Sequence, residues 1–144
     1  FSSTDNNFFI TGVQMEVGPV ATEFEQEDIG TTLAKCQRYY QKWLSDSVAD
    51  SVMTAAAISD VAFIGDYFLK TSMRSVPTMG TSGTYKARLK TNDRAITGQP
   101  SINRATTENV QIFATIATDN NESGFAGFLK TDDDDAFLEF IAEL

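Results

Sequence analysis

"NVQIFATIAT" (Asn109–Thr118) separates by parity. Gln111, Phe113, Thr115 and Ala117 share one side of an extended chain, and Ile112, Ala114 and Ile116 share the other. Successive side chains of a strand point to opposite faces, so this alternation is that of a half-buried strand. "AFLEFIAEL" (Ala136–Leu144) repeats it, with Phe137, Glu139, Ile141 and Glu143 set against Leu138, Phe140 and Ala142. Working outward, "SVMTAAAIS" from Ser51, "VAFIGDYFLK" from Val61, "GTYKARLKT" from Gly83, "RAITGQPSI" from Arg94 and "GFAGFLKT" from Gly124 are further short strand candidates. Clusters of Gly, Asn, Asp, Pro and Ser punctuate them. Short strands at near-regular spacing, with no helix between, predict an antiparallel β-sandwich over residues 47–144.

The first third has a different pattern. "NNFFITGVQMEVG" (Asn6–Gly18) alternates and stops at Gly18-Pro19, which predicts the terminal strand of an upstream β-domain. Its abrupt start at Phe1 is expected of the ordered end of something longer. The polar bridge "ATEFEQED" follows, so residues 1–26 read as strand and bridge. Ile29, Leu33, Cys36, Tyr40 and Trp43 then recur in the a/d rhythm of a helical seam, which predicts a linking helix over 27–46. Glu27 and Asp28 at its start and Lys35, Arg38 and Lys42 toward its end suit the helix dipole. About two heptads do not hold an isolated coiled coil, so the stripe needs a partner surface. Tyr39 points away from that stripe, which suits a helix covered on more than one side.

Composition narrows the chemistry. The 144 residues carry a formal charge of −9, with 11 basic side chains and no basic stripe, which disfavours nucleic acid as a partner. No run approaches the ~20 apolar residues of a membrane span, so no membrane insertion is expected. The chain has no histidine, which removes Ser-His-Asp and Cys-His catalysis and the commonest zinc ligand. Its one cysteine, Cys36, reads as a packed helix position and not as a reactive thiol. "TDDDD" (Thr131–Asp135) reads as a solvated turn and not as a calcium loop. Asp60, Asp66, Asp93 and Glu108 offer acids, but nothing pairs any two of them for glycoside hydrolysis. No catalytic residues, metal or cofactor are predicted.

Aromatic rings stack on the apolar faces of sugars, and Tyr67, Phe68, Tyr85, Phe125 and Phe128 are available. A sandwich consumes most aromatics in its core. Tyr85 sits in the polar stretch "TSGTYKARLK" and is the expected exception. Tyr85, Lys86 and Arg88 are therefore the candidate glycan-binding residues.

"FFITGVQMEVGPVATEFEQEDIGTTLAKCQRYYQKW" resembles a junction found in tail-fibre and related virion structural proteins of bacteriophages, marine phages especially. Thr11, Gly12, Val13, Gln14, Glu16 and Gly18 fit its first part, with Met15 where Leu is usual. Ala21, Thr22, Phe24 and Glu25 fit the second. Leu33, Cys36, Gln37, Arg38, Tyr39, Tyr40, Gln41 and Lys42 fit the third, with Thr32 where Glu is usual. "SMRSVPTM" (Ser72–Met79) and the closing "FIAEL" are also similar. The stretch from Lys86 to Ser123 carries no likeness.

The resemblance implies a fibrous homotrimer in the virion, with a jelly-roll domain before the junction and a β-sandwich tip after it. It implies attachment to host cell-surface glycans and contact with other tail proteins, and it brings no binding residue of its own. The stripe Ile29, Leu33, Cys36, Tyr40 and Trp43 is then expected at the trimer interface, where three copies bury it. Two other readings stand beside this one: a virion decoration or collar domain without receptor binding, and a glycan depolymerase, which the absent histidine and unpaired acids disfavour.

Overall fold

A computed structural model describes residues 10–20, 22–24, 26–90, 92–117 and 123–143. Among the described residues, one short helix, α1 (Ile29–Gln37), precedes nine strands: β1 (Tyr40–Leu44), β2 (Ser51–Ala57), β3 (Ala62–Phe68), β4 (Thr78–Ser82), β5 (Tyr85–Leu89), β6 (Asn92–Ala105), β7 (Asn109–Ile116), β8 (Ala126–Thr131) and β9 (Phe137–Ile141). All strand pairings are antiparallel.

The architecture corrects the expected sandwich. Six strands close on themselves in the order β2-β3-β7-β6-β5-β8, and β1-β9-β4 form a separate three-stranded sheet. Closure is made by β8, which pairs with β2 on one side (Thr54↔Phe128) and with β5 on the other (Arg88↔Phe128). A barrel of so few strands has a narrow bore, because diameter grows with strand number. The inward positions answer this with small residues, Ala55, Ala57, Ala87 and Ala114, between the larger Phe63, Leu89, Ile112 and Leu129, all of them buried. Two glycines let neighbouring strands approach. A Cβ on Gly65 would lie 2.5 Å from the Thr54 carbonyl oxygen, and one on Gly127 would collide with that of Arg88. Alternation alone does not distinguish this barrel from a sandwich, since both place every second residue inside.

The three-stranded sheet covers the end of the barrel where β3 finishes and β5 begins. Leu138 and Phe140 of β9, and Ala142 just after it, join the barrel's core, with Trp43 and Met79 packed against it. The Tyr67 ring stacks on Phe140 at 5.0 Å between centroids. Polar groups seal the same junction. The Ser45 hydroxyl meets that of Thr131 at 3.2 Å and the Asp50 carboxylate at 3.1 Å, and the Asp50 amide donates to Thr131 Oγ1. Ser45 and Thr131 are buried, so these bonds replace those that water made in the unfolded chain.

The N-terminal third departs from expectation. Of the strand predicted over 6–18, residues 6–9 lie outside the described residues, and residues 10–18 form no strand. They turn at Gly18-Pro19, and Glu16 accepts hydrogen bonds from the amide and hydroxyl of Thr22. The helix is shorter than 27–46. Asp28 caps it, accepting from the Thr31 amide at 3.0 Å, and Lys35 pairs with Glu27.

After Gln37 the chain turns into β1, because "YQKWL" also alternates. Gln41 is buried and Trp43 half-buried, while Tyr40, Lys42 and Leu44 face outward. Gln41 fixes this conformation, donating to the carbonyls of Gln37 and Thr71 and accepting from the Lys70 amide. The predicted helical seam is therefore split. Tyr40 and Trp43 lie on β1, and only Ile29, Leu33 and Cys36 lie on α1, which has no buried residue. Cys36, expected in a packed position, is exposed.

Candidate functional site

β5 and β8 run side by side, and their outward residues form one surface. Arg88 stands opposite Phe128, and Lys86 opposite Lys130. Lys90 closes the strand at a left-handed position (φ 52°), and Ser51 of β2 pairs with Lys130 on the far side. Ala49, Ser51, Arg88, Lys90, Phe128 and Lys130 together line an open groove of about 510 Å³. The Phe128 ring is 48% exposed within it.

The groove concentrates positive charge on an acidic chain. Arg88, Lys90 and Lys130 line it, and Lys86 sits beside it; these four belong to a total of eleven basic residues. Asp93, opposite Arg88 on β6, accepts from Arg88 at 3.1 Å and from Lys130 at 2.5 Å. Three cations less this one carboxylate leave an excess of two positive charges at the groove. Lys130 above all, then Arg88, holds the Asp93 carboxyl below the usual aspartate range. Lys86 pairs with Asp132 and is thereby neutralised. The Lys90 ammonium lies 3.7 Å from the centre of the Phe125 ring, which is 40% exposed, a cation–π contact that holds the chain end beside the groove.

The three candidate glycan-binding residues have separate fates. Arg88 lines the groove, and Lys86 lies at its margin in an ion pair. Tyr85 is buried, a correction to the expected exposed ring. β5 alternates, and odd positions Tyr85, Ala87 and Leu89 face the core. The Tyr85 hydroxyl donates to the Phe137 carbonyl at 2.7 Å and meets the Thr81 hydroxyl, so it is satisfied inside the junction of barrel and sheet. Burial pushes its phenol above the ordinary tyrosine range. The aromatic face turned to solvent on this surface is Phe128, which was available in the sequence but grouped with the core. The signal lay in "FAGFLKT", where Phe128 shares parity with Lys130 and opposes buried Leu129.

The acid-rich turn serves structure. Asp133 accepts from the amide and hydroxyl of Thr84, and Asp132 pairs with Lys86. Among the described residues, no three Asp, Glu or Cys side chains are grouped to hold a metal ion. Comparison with protein-family models, curated proteins and solved structures finds no match to this chain.

A second surface is unlike the groove. Val13, Met15, Val17, Val20, Ile29 and Leu33 are all exposed along the N-terminal arm, Met15 at 97% and Ile29 at 84%. Among the strands, helix α1 contacts chiefly β1, its continuation, and Gln37 at its end accepts a hydrogen bond from the Thr71 hydroxyl. Nine residues of helix are marginal in water without tertiary support.

Proposed function

We propose that this chain is the host-attachment end of a bacteriophage tail-fibre-type virion protein, working as a homotrimer that binds cell-surface glycans. The observation that carries the reading is the exposed apolar arm. Ile29 and Leu33 lie one helical turn apart on α1, and Val13, Met15 and Val17 alternate before it, all outside the chain's own core. Arms from other copies are the partner of matching chemistry, since they bring the same stripe to a shared axis. The junction residues from Thr11 to Lys42 add the family likeness. The closed barrel has no free sheet edge, and the three-stranded sheet offers only the short edges of β1 and β4, so the arm is the larger apolar surface for self-association.

In this reading the barrel is the tip, the groove faces the host, and other tail proteins bind upstream. No catalytic step is assigned in this reading, in which Asp93 is engaged by Arg88 and Lys130. Three copies raise the apparent affinity of weak sites by roughly 10²–10⁴-fold.

Light scattering on the full chain at micromolar concentration tests the assembly. A mass three times 15.8 kDa is expected; a folded monomer overturns the trimer. Immunogold labelling of particles carrying the protein tests location. Label at fibre ends supports attachment, while label on the capsid or collar favours a decoration domain.

A further inference from the structure

We propose that the groove between β2, β8 and β5 binds an acidic saccharide, with its carboxylate or sulfate among Lys90, Lys130 and Arg88 and a sugar ring lying on Phe128. The inference deepens the attachment reading and takes its biological sense from it, but the groove argues for itself. Phe128 is turned away from the core that Leu129 joins and keeps about half of its surface in water, within the groove. The cations around it exceed their local carboxylate by two in a chain that is otherwise strongly acidic. Asp93 holds Arg88 and Lys130 in place from the β6 side, so both are set before any ligand arrives. Lys90 is held over Phe125 at the groove's other limit.

Ring and cations thus present two kinds of contact within one concave surface of about 510 Å³. An acidic sugar unit carries both complements, an apolar ring face and a fixed anion. A neutral sugar satisfies only Phe128, and a simple anion only the cations. Nucleic acid also combines rings with anions, but repulsion from the net charge of −9 opposes a long polyanion beyond the groove. Open surface ion contacts are individually weak and screened by salt, so single-site binding is expected in the millimolar range and falls as salt rises.

The test titrates the full chain, followed by calorimetry, with oligogalacturonate (carboxylated), a heparin-derived oligosaccharide (sulfated), neutral cello-oligosaccharide and a single-stranded oligonucleotide. Binding of either acidic saccharide, at least about tenfold tighter than the neutral one and weakened by salt, is expected. Phe128→Ala is expected to weaken it about five- to tenfold. Lys90→Glu, at an exposed turn, is expected to abolish it with an unchanged melting temperature. The proposal is overturned by equal binding of neutral and acidic sugars, by no saccharide binding at all, by an oligonucleotide binding as tightly as the saccharides, or by Lys90→Glu and Phe128→Ala both binding like the parent chain. Light scattering on the same samples separates the two readings. A trimer that ignores acidic saccharides sinks the groove alone, and a monomer that binds them sinks the trimeric attachment reading alone.

Discussion

The barrel and the N-terminal arm use apolar residues in opposite ways. In the barrel, Phe63, Leu89, Ile112 and Leu129 are fully buried, and closure leaves no strand unpaired. In the arm, Met15, Val17 and Ile29 stand almost wholly in water, and polar side chains supply the local order: Glu16 with Thr22, Asp28 with Thr31, and Glu27 with Lys35. Exposed pairs of that kind contribute little, commonly below about 1 kcal/mol each. The comparison teaches that stability resides in the barrel, while the arm's hydrophobic residues are available for assembly.

That division breaks first if the barrel tolerates damage. Phe63→Ala empties a site with 0% exposure and is expected to cost about 3–5 kcal/mol in urea denaturation. Gly127→Ala puts a methyl group against the Arg88 carbonyl and is expected to cost about 1–3 kcal/mol, with the closing β8 seam losing amide-exchange protection first. Thr131→Val removes the hydroxyl shared by Ser45 and Asp50 at the buried junction. A loss of about 1–3 kcal/mol is expected from the stranded partners, read as a lower melting temperature.

The arm sharpens the comparison from the other side. Ile29→Glu with Leu33→Glu leaves the unfolding midpoint of the barrel within about 0.5 kcal/mol of the parent chain, because neither side chain joins its core. The same change is expected to reduce the light-scattering mass to that of a monomer.

The smallest effect is electrostatic. Lys130 and Arg88 lower the Asp93 pKa from 3.8 in the folded chain, and hydrogen bonding from the Asp46 amide, with help from Ser45 and Ser47, lowers that of Asp50. A depressed folded pKa means that the unfolded chain takes up protons first. The stabilisation is therefore present above the unfolded value and is lost as pH falls through the folded one. Urea midpoints are expected to be level between about pH 7 and pH 5 and to decline below about pH 4, with a shallower decline in Asp93→Asn.

Much of the strand inventory was legible in the chain. β2, β3, β5, β6, β7, β8 and β9 each coincide with a stretch read as a strand, β7 and β9 by their parity, a local property of an extended backbone, and the others by the turn residues that bound them. β1 was hidden because Tyr40 and Trp43 also fit a helical seam, and no local rule arbitrates between the two periods. Its strand state depends on Gln41, whose partners at Lys70 and Thr71 are remote in sequence. Tyr85 was misplaced for a related reason: its polar neighbours suggested exposure, but its parity with Ala87 and Leu89 sends it inward. Arg88 and Lys86 were legible as a charged face of β5. Their neighbours Lys130 and Phe128 were not, since only the β5–β8 pairing brings them together.

Local pattern thus established a predominantly β chain, an acidic net charge, a sequence without histidine and a helix opening near Glu27 and Asp28. Tertiary structure alone settled that the strands close into a barrel, that a three-stranded sheet covers its end, and that cations from two strands gather around one exposed ring. Alternation states which residues turn inward, but not which strand lies beside which. That choice rests on contacts between distant segments, on the small inward side chains that permit a narrow bore, and on the glycines that admit β3 and β8 against their neighbours.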